Sequence, residues 1–289
     1  MKTGIITKPS AWLSSVSGGG HTDELFMGWA VGILKEEGEW MQVVTHYGYR
    51  GCLKKEGVEV GNAKELQKRE QTEKMLIITK AFTDVMEEAD VHSRILCTLH
   101  RGSFVSALPK SENGYRRIRL TDQTEGYIPA VSCKDRKDGD GYLYEEDPDT
   151  YFLRQRSDRI FTEEVFRRQV ILSAKSYLGT QYRWAGKSAE GIDCSGLVFM
   201  SYLMNGILIY RDSERNHAYP VHEIPPERMK PGDLLYFPGH IAMYLGEKEY
   251  IHAAGREDSF GCTVNSFSPE AWNYREDLAK SLQAAGSIW

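Results

Sequence analysis

The chain has 289 residues, of which 41% are hydrophobic and 27% are charged, and its formal net charge is −5. A chain of this length exceeds one compact core of ordinary size, so two or three domains are expected. The slightly acidic balance argues against nucleic acid as a partner, and no apolar run approaches the ~18–20 residues of a membrane span.

The cysteines and the amino-terminal residues indicate in which cellular compartment the protein is expected. The five cysteines are widely separated and include no C-x-x-C pair, so neither a disulfide framework nor a cysteine metal site is expected. The first twelve residues lack the apolar core of about 7–15 residues that a secretion signal needs. We therefore expect a cytoplasmic protein. An extracellular or cell-wall location stays open in case a native signal peptide has been removed.

The first predicted domains are all-β. Short β-prone runs separated by acidic-glycine turns predict a small antiparallel barrel over residues 1–62. A dense mixture of opposite charges over 63–75 is typical of a solvated connector with one or two helical turns. The β pattern then returns over 76–134, and an Asp-, Gly- and Tyr-rich stretch over 135–161 predicts a linker.

The two β segments share a sequence pattern. EGEWMQVV and YGYRG in the first segment match NGYRRIRL and EGYIP in the second. This similarity indicates an internal repeat, and both copies resemble bacterial SH3-like domains.

Residues 162–289 have the pattern of an α+β domain, with helices first and strands afterwards. Thr162 is a predicted helix cap, and Gly179 is the predicted end of that helix. The expected apolar stripe between them comprises Phe166, Val170, Ala174, Tyr177 and Leu178. A second helix is predicted over 195–205, which places Cys194 at its first turn.

Cys194 is the candidate nucleophile. A thiol is nucleophilic as the thiolate, and the positive end of a helix dipole favours that form, so we expect a lowered pKa. Its neighbours Gly191, Asp193, Ser195 and Gly196 are small or polar, which suits a backbone that a substrate approaches closely.

Two histidines can serve Cys194 as a base at neutral pH. His240 and His252 lie on consecutive predicted strands. A two-residue turn at 247–248 would place them on opposite faces of the sheet. A three-residue turn at 246–248, or a bulge, would place His252 opposite Ala242 and His240 diagonally beside it. The catalytic hypothesis requires the second register.

Six ordered motifs now carry a resemblance: YLGTQYRW, GIDCSGL, LIYRDS, KPGDLLYF, GHIAMYLG and YIHAAG. Over 162–289 the chain resembles the NlpC-type family of papain-like cysteine peptidases. The resemblance implies that Cys194 is the nucleophile, His240 the general base and acid, and His252 the group that orients His240. It also implies that Tyr182 and the Cys194 amide stabilise the oxyanion. The predicted fold is therefore two small all-β SH3-like barrels followed by an α+β papain-like domain with an antiparallel sheet.

Members of this family commonly hydrolyse cell-wall peptides between γ-linked D-glutamate and a diamino acid. The combination with SH3-like domains resembles γ-D-glutamyl-L-diamino acid endopeptidases that prefer a free amino-terminal L-alanine. Such an ammonium needs an anionic end to the pocket. The positions that match this pocket in the family are Asp193, Ser195, Asp212 and Ser213, together with Tyr49 from the first barrel.

The sequence departs from many family members at Ala185, where a second glycine is common after the tryptophan. The expected substrate is a murein peptide such as L-Ala-γ-D-Glu-diamino acid, cleaved for recycling without a metal or an organic cofactor. The alternatives are an exported hydrolase of intact peptidoglycan and an inert cell-wall-peptide binding protein. The choice between lysine and diaminopimelate, the oligomeric state and the role of the second barrel stay open.

Overall fold

The computed structural model describes residues 1–145, 147–155, 162–257 and 259–289. The chain divides into two compact units, Met1–Pro148 and Asp149–Trp289. This division confirms the prediction of a multidomain protein. Among the described residues, none of the helices combines the length and the apolar character needed to cross a membrane.

The first unit contains two antiparallel sheets of seven strands each. The strands of the first sheet are β1 Lys2–Ile6, β2 Ser10–Ser14, β3 His21–Phe26, β4 Ala30–Glu37, β5 Trp40–Thr45, β6 Arg50–Lys54 and β7 Val58–Asn62. Those of the second are β8 Met75–Ile78, β9 Phe82–Met86, β10 Ile95–His100, β11 Phe104–Glu112, β12 Tyr115–Arg119, β13 Glu125–Pro129 and β14 Cys133–Asp135.

The two sheets have the same topology. The strand order is β3-β2-β6-β5-β4-β1-β7 in the first sheet and β10-β9-β13-β12-β11-β8-β14 in the second, so each strand corresponds to the one seven places later. The segments that match in sequence form equivalent strands, since β5 corresponds to β12 and β6 to β13. The internal repeat is therefore present in the fold, whereas its assignment to SH3-like domains stays a prediction.

Helix α1, Ala63–Thr72, connects the two sheets along the chain. Asn62 caps it by accepting hydrogen bonds from the amides of Lys64 and Glu65, and the Glu65 side chain accepts one from the Asn62 amide. Leu66 is buried and packs in one cluster with Ala30 of the first sheet. The connector is thus a longer helix than predicted, because a capping box and one buried leucine hold it against the unit.

The two sheets of the first unit pack closely against each other. The Trp29 side chain is fully buried, and its indole nitrogen donates to the carbonyl of Gly102 at 2.8 Å. Gly28 has a φ of +86°, and a Cβ there would lie 2.1 Å from the Phe104 carbonyl oxygen. Met27 belongs to the hydrophobic core of the second sheet.

The remaining helices are α2 Pro148–Arg154, α3 Glu163–Lys175, α4 Cys194–Leu203 and α5 Glu276–Ser281. The remaining strands are β15 Lys187–Ser188, β16 Gly191–Ile192, β17 His222–Ile224, β18 Leu234–Phe237, β19 His240–Gly246, β20 Glu249–Ala254, β21 Gly261–Ser266 and β22 Ala284–Ser287. Strands β15 and β16 pair with each other, and the others form one antiparallel sheet in the order β17-β22-β18-β19-β20-β21. Helices followed by an antiparallel sheet confirm the predicted α+β class.

Helix α3 begins at its predicted cap, where Thr162 Oγ1 accepts a hydrogen bond from the Val165 amide at 3.4 Å. Four members of the predicted stripe are buried: Phe166, Val170, Ala174 and Tyr177. The fifth, Leu178, is 48% exposed, so its inclusion was wrong. The helix ends at Lys175, so Leu178 lies outside it and does not share its buried face.

Helix α4 lies at the centre of the second unit, with all ten of its residues buried. On one side Phe166 of α3 meets Tyr202 edge to face, with ring centroids 5.5 Å apart. The Tyr202 hydroxyl donates to the Gly232 carbonyl at 2.8 Å. A helix that is buried on every side is surrounded by other elements of the domain. These contacts fix the position of its first residue, Cys194.

Candidate active site

Cys194 is the first residue of α4, which begins one residue earlier than predicted. Asp193 caps the helix, and its Oδ1 accepts a hydrogen bond from the Gly196 amide at 2.5 Å. The cysteine is 8% exposed. Its sulfur also lies near strand β19, because the backbone amides of Ser195 and Ile241 hydrogen-bond to it. Since Ile241 directly follows His240 in the chain, the backbone of His240 also lies close to the start of α4.

The thiol of Cys194 is protonated at neutral pH. Burial raises its pKa to about 11, and the negative charge of Asp193 acts in the same direction. The amides of Ile241 and Ser195 lower the pKa but do not offset these effects. The prediction of a lowered pKa was therefore wrong for the free enzyme, because loss of hydration outweighs the favourable position at the helix start.

The glycines beside Cys194 allow segments of the chain to pack closely. A Cβ on Gly196 would lie 2.3 Å from the Gly186 carbonyl oxygen, and one on Gly191 would lie 2.5 Å from the Arg183 side chain. These contacts show that both positions need glycine for packing within the domain. Ala185 has a φ of +64°, in the left-handed region that favours glycine, where many family members have that residue.

Asp193 and Ser195, which flank the cysteine, contact a fully buried arginine. Arg211 Nη1 lies 3.2 Å from Asp193 Oδ1 and 2.7 Å from Ser195 Oγ, and Nη2 lies 3.1 Å from Asp193 Oδ2. Arg211 is 1% exposed. The carboxylate of Asp193 is thus neutralised within the domain, and the substrate contacts of Asp193 and Ser195 stay predictions. Sequence reasoning did not single out Arg211, although it lies in the LIYRDS motif.

The hairpin of β19 and β20 contains a bulge. Gly246 pairs with Glu249 across a two-residue turn whose residues both have positive φ values. Tyr244 pairs with Tyr250, so Leu245 is an extra residue without a partner across the ladder. The chain therefore combines the two-residue turn, which alone would separate the histidines, with the bulge that restores their register.

The bulge brings the two histidines together. In this register His252 lies opposite Ala242, and His240 is its diagonal neighbour on the same face. Nε2 of His240 lies 2.8 Å from Nδ1 of His252, with the rings nearly perpendicular at 80°. The required strand pairing is confirmed.

The hydrogen-bonded series continues beyond His252, which is fully buried. Nε2 of His252 lies 2.8 Å from Oδ1 of Asn265 on strand β21, and the Asn265 Nδ2 donates to the Asn273 carbonyl at 2.7 Å. Sequence reasoning missed Asn265, which lies in none of the six motifs. Its only signal is the pairing of β20 with β21, in which Asn265 faces Tyr250.

His240 is a neutral imidazole at neutral pH. Burial lowers its pKa to about 3, and repulsion from His252, when that ring is protonated, and from Arg275 acts in the same direction. A neutral ring retains the lone pair that a general base needs. Because the neighbouring thiol is also neutral, any transfer between the two groups starts from an un-ionised pair.

Tyr182 lies near the nucleophile, in the segment before β15, and forms an isolated backbone bridge with Ile192 of β16. Burial raises the pKa of its hydroxyl well above the usual value, and the charge of Asp193, or of Cys194 once it is ionised, acts in the same direction. A Cβ on Gly255 would lie 2.8 Å from the Tyr182 ring, so the ring packs directly on backbone. Its oxyanion role stays a prediction.

The other predicted binding residues lie in two different places. Asp212 and Ser213 are half-buried in the bend that directly follows Arg211, whose guanidinium touches both neighbours of the cysteine. Tyr49 belongs to the first unit, where its amide donates to Thr45 Oγ1 at 2.9 Å. The predicted contact of Tyr49 with substrate stays a prediction.

The chain is similar to known proteins in sequence and in fold. The family model described as NlpC/P60 family matches residues 179–279. The chain is 35% identical over 273 residues to dipeptidyl-peptidase 6 of Lysinibacillus sphaericus, covering 92% of both chains. It is 37% identical over 98 residues to a γ-D-glutamyl-L-lysine dipeptidyl-peptidase of Bacillus cereus, covering 31% of this chain and 29% of that one.

A solved structure of an NlpC/P60 family protein from Bacillus cereus shares the fold, with a TM-score of 0.71 over 98% of each chain at 17% identity. The sequence similarity extends over nearly the whole chain, including the β-rich part that precedes the matched family model. The chain therefore belongs to the NlpC/P60 family of cysteine peptidases.

Proposed function

We propose that this protein is an endopeptidase that hydrolyses the bond between γ-linked D-glutamate and a diamino acid in short cell-wall peptides with a free amino-terminal L-alanine. The observation that carries the proposal is the hydrogen-bonded pair of His240 and His252 next to Cys194, at the start of a buried helix. Similarity to a dipeptidyl-peptidase over 92% of both chains supports the substrate class.

The proposed chemistry follows from the protonation states. As the sulfur of Cys194 attacks the γ-glutamyl carbonyl, an S–C bond forms and the thiol proton passes to His240. The Cys194 amide and the Tyr182 hydroxyl are proposed to stabilise the oxyanion. Collapse breaks the C–N bond, and the diamino acid leaves with the proton from His240. A water molecule, deprotonated by His240, then hydrolyses the thioester and the thiol is restored.

We assign the amino end of the substrate to the bend after Arg211. A substrate ammonium needs a carboxylate to pair with. Asp193 is already paired with the Arg211 guanidinium, whereas Asp212 has a hydrogen bond with the uncharged Tyr210 hydroxyl. Asp212 and Ser213 are therefore the better candidates. A pocket that binds an ammonium selects peptides already released from the glycan, which supports a role in recycling, and we place that role in the cytoplasm.

The test is hydrolysis of L-Ala-γ-D-Glu-L-Lys and of the matching diaminopimelate tripeptide, with release of the free diamino acid followed by mass spectrometry. We expect cleavage by the wild-type protein, none by Cys194→Ala, and no effect of a chelator. Hydrolysis that persists in Cys194→Ala would remove the nucleophile assignment.

The same assay separates the alternatives. Equal rates on the free and the amino-acetylated tripeptide would contradict the ammonium pocket and favour a hydrolase of intact peptidoglycan. Binding of the tripeptide by calorimetry without any cleavage would favour a binding protein.

A further inference from the structure

We propose that Asn265 is a positioning residue that sets the tautomers of both histidines and thereby leaves a lone pair on Nδ1 of His240. This inference rests on the proposed function and names a residue that acts through His252. The hydrogen bonds concerned join three adjacent strands, β19, β20 and β21.

The orientation of the Asn265 amide is fixed by its second partner. The backbone carbonyl of Asn273 can only accept a hydrogen bond, so the group 2.7 Å from it must be the Asn265 NH₂. The same carbonyl accepts from the Ser266 amide at 3.1 Å, which holds it in place. The Asn273 side chain in turn donates to the Val264 carbonyl at 3.1 Å. Oδ1 of Asn265 must therefore face His252.

The proton positions then follow in sequence. Because Asn265 Oδ1 can only accept, Nε2 of His252 carries the hydrogen, and its Nδ1 has the lone pair. That lone pair, 2.8 Å from His240 Nε2, can only accept, so Nε2 of His240 also carries a hydrogen. Nδ1 of His240 is left as the basic nitrogen. Without Asn265, His252 could carry its hydrogen on either nitrogen, and the wrong tautomer would move the His240 lone pair from Nδ1 to Nε2, the nitrogen that faces His252.

Burial keeps His252 and Asn265 from replacing their hydrogen-bond partners with water. His252 is fully buried and Asn265 is 9% exposed, so neither can exchange its protein partner for bulk water without cost. The titratable and charged groups that act on the pair are Tyr250 on β20, and Arg275 and Asp277 at the start of α5. Cys194 on α4 accepts a hydrogen bond from the amide of Ile241, the residue after His240.

The first experiment needs no substrate. Nitrogen-15 NMR of the imidazoles, assigned with His240→Gln and His252→Gln, reports which ring nitrogen is protonated. We expect both histidines of the wild-type protein to be protonated on Nε2 alone near neutral pH. In Asn265→Leu we expect His252 to populate both tautomers, while Glu270→Gln, at an exposed residue of the loop between Asn265 and Asn273, should match the wild type.

The second experiment measures kinetics on the tripeptide. Asn265→Leu should lower kcat about 10- to 100-fold, as loss of a group that orients a histidine does elsewhere, with KM within about twofold. Asn265→Asp keeps the acceptor and adds a negative charge, so it should keep the Nε2 tautomer and raise the acidic limb of the pH profile by about one unit. A purely structural residue would not shift that limb.

The inference is overturned if wild-type His252 is protonated on Nδ1, or if Asn265→Leu has the wild-type spectrum and kcat. If Asn265→Leu fails to fold, the wild-type spectrum and the pH profile of Asn265→Asp still test whether Asn265 sets the tautomers. If the wild-type protein does not cleave the tripeptide, the proposed function fails, whereas the NMR result stands for or against Asn265 on its own.

Discussion

Arg211 and Asp193 are joined by both terminal nitrogens of the guanidinium, which lie 3.2 and 3.1 Å from the two carboxylate oxygens. Both side chains are buried, and Asp193 also caps the helix that starts with Cys194. The pair therefore connects the segment after residue 207 to the start of α4. Its buried charges give the first prediction.

Replacing Arg211 with Met should destabilise the fold by about 3–5 kcal/mol, because it leaves the Asp193 carboxylate buried without a counter-charge. Adding Asp193→Asn should recover part of this loss, since asparagine can cap α4 without a charge. Urea unfolding of the single and double variants measures the coupling. Strictly additive losses would contradict a direct pairing.

Gly196→Ala should destabilise the protein by about 1–3 kcal/mol and lower activity, because the new Cβ would lie 2.3 Å from a backbone oxygen and displace the start of α4. Gly20→Ala is the matched control, since a Cβ there meets no atom within 4 Å. Thermal unfolding and kcat are the measurements. An unchanged midpoint and rate in Gly196→Ala would show that the contact does not fix Cys194.

Alkylation of Cys194 should be slow near neutral pH and rise about tenfold per pH unit toward pH 11, because burial raises the thiol pKa to about 11. Peptide-resolved mass spectrometry after iodoacetamide treatment separates this cysteine from the other four. A plateau of fast reaction from mildly acidic pH upward would instead indicate a preformed thiolate and imidazolium pair.

His240 should make the fold sensitive to acid. Its folded pKa is about 3 against an ordinary 6.5, so the unfolded chain binds the proton first as pH falls. The stability that the neutral ring contributes is complete above pH 6.5 and is lost between 6.5 and 3, by at most about 1.4 kcal/mol per pH unit.

His240→Gln should flatten this part of the curve of unfolding free energy against pH, whereas substitution of the exposed His92 should not. Chemical denaturation at closely spaced pH values makes the comparison. Parallel curves for the wild type and His240→Gln would contradict the depressed pKa.

Asp212→Asn should raise KM for the free tripeptide about 10- to 100-fold, because a hydrogen bond to a charged group contributes about 1.5–3 kcal/mol. The amino-acetylated tripeptide has no amino-terminal ammonium, so its weaker turnover should be unchanged by the substitution. A KM effect of the same size on both peptides would point to a structural role for Asp212.

Local rules in the sequence were enough to place Cys194 at a helix start and to reduce the register of the histidines to two options. Glycine and polar residues mark where α4 begins. Strand parity allowed His240 and His252 to lie either on the same face of the sheet or on opposite faces, and the bulge at Leu245 places them on the same face. Both features depend on residues close together in the chain, which is why they could be predicted.

Features that depend on tertiary packing could not be predicted in this way. The pKa of Cys194 follows from burial by distant segments, and the contact of His252 with Asn265 requires a third strand. Leu178 continues a helical stripe in sequence, but the helix ends first. In each case the deciding group lies outside the local pattern.

The buried indole of Trp29, hydrogen-bonded to Gly102, has a consequence for how the amino-terminal half folds. Each sheet supplies part of the other's interior, so a fragment with only residues 1–62 or 76–134 would expose that surface to water. The duplicated sheets should therefore melt together in one cooperative transition, and proteolytic fragments that contain a single copy should aggregate.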